Sequence, residues 1–421
     1  MRPAGGGGAA AGYLPLRRNG QFQALWAGSA AATLGLMVAD VAYPLAILAV
    51  TGSPAEAGLF AAVQSAGMIA ASLPAGHLVD RRDPRKVLIV AEACRAVVTA
   101  VVAAALAMGW LTFPLLMLAA AMLGVGQPAA SSARMLLLRA AVPAAQLTRA
   151  LTQDEVRING ADLAGPPLGG ALYGLRALAH AAPFVFTAFS LVLSLVSALL
   201  IKVSPDRPAT STPTEAGPEG RRRRSGMLAG VTAIWGNPVL RATTLLIGTV
   251  NTVGGSLGLI AVVILRRQSV SPAMIGVALA SAAVGGLAGA ALVRPLHRLR
   301  PGVLLISVCL LEVPLLALLA VPYGPVWMGG LLLLAMLWIP SIRVLLDVLI
   351  LRQAPASEQG RVIGAVMTLM GVGIPAGLAA SGLMLQYLSA QTTMLILAGV
   401  LAVGVLYCGA KPELWHARWP E

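Results

Sequence analysis

The sequence predicts an all-α integral membrane protein with twelve transmembrane helices in two pseudo-symmetric six-helix bundles. Three observations lead to this prediction: the composition, the number of long apolar runs and the distribution of cations. Of the 421 residues, 58% are hydrophobic and 11% are charged, whereas a soluble domain has about a quarter of its residues charged. The apolar runs are continuous rather than alternating, which favours helices over a β-barrel.

Twelve apolar runs are long enough to cross a bilayer, which takes about 20 residues in a helix. Charged patches or turns rich in Pro and Gly separate them. The predicted spans are residues 23–50, 56–79, 87–109, 112–138, 152–174, 182–203, 239–265, 273–293, 302–321, 325–349, 361–386 and 390–410.

The cations are distributed unevenly between the two sides of this arrangement. Of 30 Lys and Arg residues, 23 lie in the tails and loops on the side of the N-terminus, and three, Arg176, Arg266 and Arg267, lie in loops on the other side. Cytoplasmic loops carry the excess of cations, so both termini are predicted to be cytoplasmic. The net charge of +14 is therefore explained by topology and by attraction to anionic lipids, and nucleic acid is not expected as a partner.

The longest hydrophilic segment, residues 204–226, is rich in Pro, Ser, Thr and Gly and ends in four arginines. Such a composition cannot form a core. The predicted organisation is a tail (1–22), a six-helix bundle (23–203), a cytoplasmic linker with an interfacial segment (204–238), a second six-helix bundle (239–410) and a tail (411–421). The halves echo each other, since Leu138-Arg139 followed by Pro143-Ala144 is matched by Leu351-Arg352 followed by Pro355-Ala356.

A short charged loop joins the second and third predicted spans and reads Gly76-His-Leu-Val-Asp-Arg-Arg-Asp-Pro-Arg-Lys-Val87. It resembles the Gly-x-Leu-x-Asp-Arg-x-x-x-Arg/Lys loop of the major facilitator superfamily. Asp83 and Pro84 depart from the family pattern and predict an Asp-Pro turn. In that family the matching acid and arginine hold the two halves together at the cytoplasmic side. The resemblance predicts such a latch, and a solvated loop that only sets orientation is the alternative. The latch residues are Gly76, Asp80, Arg81 and Arg85.

The fifth span contains Gly165-Pro166-Pro167-Leu168-Gly169-Gly170. Glycines four residues apart allow close helix contact, and proline removes a backbone hydrogen bond and permits a kink. The segment resembles the Gly-Pro-x-x-Gly-Gly element of exporters and antiporters in the same superfamily, which favours export over uptake. Simple helix packing is the alternative reading of Gly165, Pro166, Gly169 and Gly170.

Three acids inside predicted spans are candidates for proton coupling, because a charge in the bilayer is costly unless it is paired or faces water. Asp40 is the first, since no cation lies within a helical turn of it and Tyr43 and Pro44 follow. A structural hydrogen-bonding role is the alternative. Asp162, one turn before the Gly-Pro kink, and Glu312 are the second and third candidates.

Other polar and soft side chains within the spans have structural or ligand-binding interpretations. Glu92 with Arg95, and Arg343 with Asp347, have spacings that favour local ion pairs. Met and aromatic side chains form adaptable walls for apolar ligands, although packing is their default role. The candidates for a substrate cavity are Met37, Asp40, Tyr43, Gln64, Asn251, Trp338 and Arg343.

Several kinds of chemistry lack a recognisable signal. Cys94, Cys309 and Cys408 are isolated within apolar runs, so no disulfide and no metal site is expected. There is no phosphate-binding Walker loop and no clustered set of nucleophile and base. The sequence therefore predicts no cofactor, no metal and no enzymatic activity.

Nearly the whole chain resembles the major facilitator superfamily, in particular the bacterial enterobactin-exporter-like and macrolide-efflux-like branch. The branch is indicated by Asn19-Gly-Gln-Phe22, Thr51-Gly-Ser-Pro54 and Gly360-Arg-Val362. Many proton-driven antiporters of the family carry an arginine in the middle of the fourth span. Here Gly124-Val-Gly-Gln-Pro128 occupies that region, so Asp40 or Asp162 would have to serve in proton coupling.

The resemblance implies a secondary transporter of the bacterial plasma membrane. It would export a small amphiphilic molecule, such as a siderophore, natural product or drug, by alternating access. Protons, the substrate and the lipid bilayer are the expected partners, and a monomer is expected. A lipid or lysolipid transporter or an importer is the alternative. A membrane-embedded enzyme or a non-transporting sensor would be a different class, for which the sequence shows neither a catalytic cluster nor an appended soluble domain.

Overall fold

The computed structural model describes residues 16–175, 177–202, 232, 235–236, 238–296, 300–345 and 359–411. Several segments named above lie outside these ranges: most of the predicted N-terminal tail, most of the predicted linker, and Arg176. So do Asp347, the expected partner of Arg343, and the Arg352 and Pro355 positions of the internal repeat.

The described chain is helical, with no strand in these ranges. The predicted arrangement of twelve helices is confirmed. The helices are α1 (Gly20–Val50), α2 (Pro54–Arg81), α3 (Pro84–Ala107), α4 (Phe113–Ala141), α5 (Ala144–Gly174), α6 (Ala182–Leu200), α7 (Pro238–Arg267), α8 (Pro272–Leu296), α9 (Pro301–Leu319), α10 (Pro325–Met336), α11 (Gln359–Tyr387) and α12 (Ala390–Gly409).

The tenth span is interrupted. A turn at residues 337–338 follows α10, and helix resumes at 339–345, so that the apolar span runs over Pro325–Leu345. Eleven of the twelve helices in the described chain are apolar and long enough to cross a membrane. The exception is α5, whose first half carries several charged residues. It is held by packing against its neighbours rather than by its own hydrophobicity.

Proline and small polar residues set where helices begin. Pro54 and Pro84 are the first residues of α2 and α3, where a missing backbone N–H is not needed by the helix. Ser53 and Asp83 cap these helices by accepting hydrogen bonds from the backbone N–H groups of Glu56 and Arg85, at 3.2 and 2.9 Å. The predicted Asp-Pro turn between the second and third spans is therefore confirmed.

The two sets of six helices pack alike. In the first set α1 contacts α5 and α6, α2 contacts α4, and α3 contacts α4 and α6. In the second set α7 contacts α11 and α12, α8 contacts α10, and α9 contacts α10 and α12. Each pair in the first unit (α1–α6) thus has its counterpart six helices later in the second unit (α7–α12).

The two units meet through two equivalent helix pairs, α2 with α11 and α5 with α8. We call the end with residues 82–83 and 142–143 the basic end, and the end with residues 51–53, 268–271 and 388–389 the opposite end. Two hydrogen bonds join the units within the described residues, from Ser53 to Gln386 and from Arg266 to the Leu45 carbonyl, and both lie at the opposite end. Among the described residues, the hydrogen bonds between the units therefore lie at one end.

Candidate functional site

A cleft of about 500 Å³ lies where the two units face each other. The first unit contributes α1, α2, α4 and α5, and the second contributes α7, α8 and α11. Its volume is within the range of small-molecule sites. Of the residues proposed from sequence, the cleft brings together Met37, Asp40, Tyr43 and Gln64.

Asp40 is the acidic residue in the wall of this cleft. It lies deep among the helices, but its side chain is not packed and opens into the cleft. It makes no hydrogen bond or ion pair with another residue that the structure describes. Pro44, four residues later, has no N–H to donate to the Asp40 carbonyl, which weakens the helix at this point. An unpaired carboxyl beside a locally weakened helix is placed to bind a proton or a polar ligand group.

An aromatic cluster forms the wall next to Asp40. The ring of Tyr43 stacks on Phe60 of α2 with centroids 4.5 Å apart and meets Phe184 of α6 edge-on at 4.9 Å. The Tyr43 side chain is buried. On the facing side of the cleft, α7 contributes Leu259 and Val262. The cleft therefore combines one carboxyl with a largely apolar lining, as a site for an amphiphilic molecule requires.

Three other cavity candidates are not brought to the cleft. Asn251 on α7 donates a hydrogen bond to the Met370 carbonyl on α11 at 3.0 Å, which ties two helices of the second unit. Trp338 lies in the turn within the tenth span and packs against the hydrophobic core. Arg343 is exposed, in the short helix that follows that turn. Their positions in the sequence did not show that they lie outside the lining of the cleft.

A second cavity, of about 360 Å³, lies inside the first unit between α1, α3, α4 and α5. It shares the residues Leu36, Met37 and Gln127 with the cleft. Asp162, the second acidic candidate, lines this cavity and not the cleft. Asp162 therefore opens into the second cavity, next to the cleft, and not into the cleft itself.

A buried ionic network forms one wall of the second cavity. The predicted local ion pair of Glu92 and Arg95 is confirmed, at 3.4 Å, and both residues are almost fully buried. The same carboxylate also binds Arg134 of α4, which in turn contacts Ser194 of α6 at 3.2 Å. The sequence showed Arg134 as a charge at a span end, but it did not show that this residue shares Glu92 with Arg95.

Arg157 forms a separate network that sequence reasoning missed. Its guanidinium binds Asp154 at 2.8 Å, donates to the Ser29 carbonyl at 2.8 Å and also donates to the Thr33 hydroxyl. These contacts join α5 to α1 inside the first unit. The available signal was a charged residue within a predicted span, which costs free energy unless it finds partners.

Glu312, the third acidic candidate, lies on α9. It is only 9% exposed, and its Oε1 atom has no hydrogen-bond partner among the described residues. It lines neither the cleft nor the second cavity. Its position is remote from the space in which the other two acids lie.

The glycines of the fifth helix are contact points. A side chain at Gly165 would overlap Met37 of α1, and one at Gly169 would lie 2.6 Å from the carbonyl oxygen of Val38. A side chain at Gly170 would overlap the Pro272 carbonyl on α8. In return, a side chain at Gly276 of α8 would overlap the carbonyl of Pro166. The element therefore packs α5 against its own unit and against the other one.

The residues of the predicted latch lie at the basic end. Asp80 and Arg81 are exposed, and neither makes a hydrogen bond or ion pair with a described residue. Gly76 has no atoms within 4 Å of the position a side chain would take. Arg85 donates to the Ala198 and Leu199 carbonyls at the end of α6, at 3.2 and 2.6 Å. In this conformation Arg85 therefore caps a helix of its own unit, and it makes no hydrogen bond or ion pair with a described residue of the other unit.

The sequence and the fold were compared with known proteins. The family model described as Major Facilitator Superfamily matches residues 25–374. The multidrug efflux pump Tap of Mycobacterium tuberculosis (strain ATCC 25618 / H37Rv) is 28% identical over 374 residues, which is 87% of each chain.

Solved structures show the same fold at low sequence identity. One is a bacterial homologue of the human lysosomal transporter Spinster, inward-facing and unoccupied, with a TM-score of 0.75 and 16% identity over 97% of this chain and all of the other. Another is a bacterial homologue of the iron transporter ferroportin in an inward-facing state. Its TM-score is 0.68 with 16% identity, covering 94% of this chain and 100% of the other.

Proposed function

Because this chain belongs to the Major Facilitator Superfamily and is a multi-pass transporter of the bacterial membrane, we propose that it exports a small amphiphilic molecule by alternating access coupled to protons. The observation that carries this proposal is the cleft between the two units, in which the Asp40 carboxyl, without an ion-pair partner among the described residues, meets an apolar and aromatic wall. A site between two repeats that rock against each other is the arrangement that alternating access requires.

The conformation supports this mechanism. The units are held together at the opposite end by the close α5–α8 and α2–α11 contacts. Asp80 and Arg81, the residues of the predicted latch at the basic end, make no hydrogen bond or ion pair with a described residue. The distribution of cations supports a cytoplasmic position for the basic end. We therefore assign this conformation to the state in which the cleft is open to the cytoplasm, ready to load a molecule for export.

Export rather than uptake is supported by two observations. The chain is similar over most of its length to a multidrug efflux pump. Its fifth helix also carries the glycine and proline element, whose glycines contact both units. Helix packing this close allows a small change in the α5–α8 contact to move the units relative to each other.

Asp40 is the residue to which we assign proton exchange. It opens into the cleft, whereas Asp162 opens into the second cavity and Glu312 is packed within the second unit. A proton and a polar group of the substrate would therefore bind at the same carboxyl, and each would change the affinity of the other. This mutual effect on affinity couples proton movement to substrate movement.

The proposal is tested by measuring the accumulation of amphiphilic drugs, natural products and siderophores in bacterial cells with and without the protein. At least one compound should accumulate less when the protein is present, and collapse of the proton gradient with a protonophore should abolish the difference. Raised accumulation would instead indicate an importer. An export activity that is insensitive to the protonophore would contradict proton coupling.

A further inference from the structure

The second cavity has a polar wall that the proposed mechanism does not use. It lies wholly within the first unit and is continuous with the cleft through Leu36, Met37 and Gln127. Arg95, Arg134 and Arg157 all line it. Such a concentration of guanidinium groups within spanning helices requires partners.

Two of the three side-chain nitrogen atoms of Arg95 have no hydrogen-bond acceptor among the described residues. Its side chain is 2% exposed, and Glu92 is its one ion-pair partner among the described residues, at 3.4 Å through Nη1. The Nε and Nη2 atoms are buried without any hydrogen-bond partner in the described chain. The aliphatic part of Arg95 lies against Gly126 of α4, which holds the guanidinium in place. Buried donors of a charged group are normally satisfied, so these two indicate a missing acceptor.

The neighbouring groups do not supply that acceptor. Glu92 is a single carboxylate that serves both Arg95 and Arg134. Arg157, in contrast, is satisfied by Asp154 and by oxygen atoms of α1. Asp162 also lines the cavity and makes no ion pair with a described residue. Its negative charge offsets part of the positive charge of the arginines, so the net charge of the cavity is not what indicates an anion site. Arg95 is singled out by its Nε and Nη2 atoms, which have no hydrogen-bond partner among the described residues.

We propose that the second cavity is a subsite for an anionic group, a carboxylate or phosphate, that binds to Arg95 and Arg134. A guanidinium presents its N–H groups in a planar fork that matches the oxygen atoms of such anions. The cavity volume of about 360 Å³ accommodates the group with a short apolar stem. The apolar body of the same molecule then lies in the cleft against Tyr43 and Phe60.

This subsite narrows the substrate class to amphiphiles that carry an acidic group. The conclusion that the bound anion is part of an exported substrate rests on the proposed function. The binding of an anion at Arg95 does not rest on it, because binding to the purified protein requires no transport.

Three probes with one carbon skeleton test the subsite: 4-phenylbutyrate, 4-phenylbutyramide and 4-phenylbutylamine. Their affinities for the full chain in lipid nanodiscs are measured by isothermal titration calorimetry, with empty nanodiscs as the reference. The carboxylate is expected to bind saturably and at least about tenfold more tightly than the amide and the amine. Equal affinities for the three probes, or no binding of the carboxylate, would overturn the proposal.

Two variants of Arg95 locate the binding. Arg95→Gln leaves Glu92 paired with Arg134, so no buried carboxylate is stranded and the protein is expected to fold. This variant should lose at least about tenfold in affinity for 4-phenylbutyrate, while Arg95→Lys, which keeps the charge, should recover part of the loss. Unchanged affinity in a folded Arg95→Gln protein would overturn the assignment. A failure of export with intact binding would contradict the proposed function and leave the subsite standing.

Discussion

Arg266 of the second unit donates a hydrogen bond to the carbonyl oxygen of Leu45 in the first unit, at 2.7 Å. The same carbonyl accepts a hydrogen bond from the hydroxyl of Tyr173 at 3.1 Å. Three helices, α1, α5 and α7, are thereby tied together at the opposite end. This junction belongs to the conformation in which that end is closed, and under the proposed alternating access it would break when that end opens.

Replacing Arg266 with Gln should weaken the closed opposite end. A hydrogen bond from a charged donor contributes about 1.5 kcal/mol, so the ratio of closed to open molecules should fall about tenfold. The distance across this end is reported by a pair of spin labels, one on each unit, attached to Trp110→Cys and Tyr323→Cys in a cysteine-free background. Both positions are exposed. Arg267→Gln is the matched control, because Arg267 donates to the Leu385 carbonyl within its own unit. Equal distance distributions for the two variants would contradict this role.

A side chain at Gly170 should prevent closure of the opposite end. Gly170→Val would overlap the backbone carbonyl of Pro272, which cannot move aside as a flexible side chain can. The label pair described above should then show a longer distance. Gly174→Val is the control, since it lies on the same helix with no atoms within 4 Å of the added carbon. If Gly170→Val keeps the short distance, the α5–α8 contact is not what closes this end.

Glu92→Gln should destabilise the first unit strongly. The variant leaves the guanidinium groups of Arg95 and Arg134 buried without their shared carboxylate. Breaking a buried ion pair costs about 3–5 kcal/mol, so the melting temperature in detergent should fall clearly. Glu155→Gln removes an exposed carboxylate of α5 and should leave the melting temperature near that of the wild type. Similar melting temperatures for the two variants would show that the network contributes little to stability.

Among the three candidate acids Asp40, Asp162 and Glu312, only Asp40 should be essential for gradient-driven export. Asp40→Asn keeps the size of the side chain but cannot exchange a proton, so export should become insensitive to a protonophore or stop. Asp162→Asn and Glu312→Gln should retain the response, because neither residue lines the cleft. Accumulation assays with and without protonophore measure this difference. Loss of the response in Asp162→Asn alone would move the coupling site to the second cavity.

Asp80→Asn should alter the balance of conformations without altering stability. Asp80 is exposed and unpaired among the described residues, so its replacement should change the free energy of unfolding of this conformation by less than about 0.5 kcal/mol. If Asp80 forms the latch in the other conformation, the variant should shift molecules towards the state with a closed opposite end. Asp83→Asn is the control, because asparagine also caps the start of α3. Identical distance distributions for Asp80→Asn and the wild type would argue against the latch.

The sequence by itself determined the number of helices, the Asp-Pro turn before α3 and the Glu92–Arg95 pair. It also placed the limits of the helices to within about three residues, except the start of α5, which lies eight residues before the predicted span, and the end of the tenth span, which lies outside the described residues. Each of these depends on residues that are close together along the chain. Hydrophobicity over about 20 residues decides whether a segment spans a bilayer, and a spacing of three residues places two side chains on one helix face. It also singled out Asp40, because an acid without a nearby cation in an apolar run is recognisable without knowledge of the packing.

Only the tertiary structure decided which spans meet. Arg134 shares Glu92 across 42 residues, Arg157 reaches Ser29 across 128 residues, and Asn251 turns to α11 rather than to the cleft. In each case the rotation and tilt of a helix against its neighbours choose the partner, and these are set by the packing of small residues over the whole interface. Because an α-helix has 3.6 residues per turn, its side chains point in all directions around the axis. Only the packing of the helix against its neighbours decides which of these side chains line the cleft.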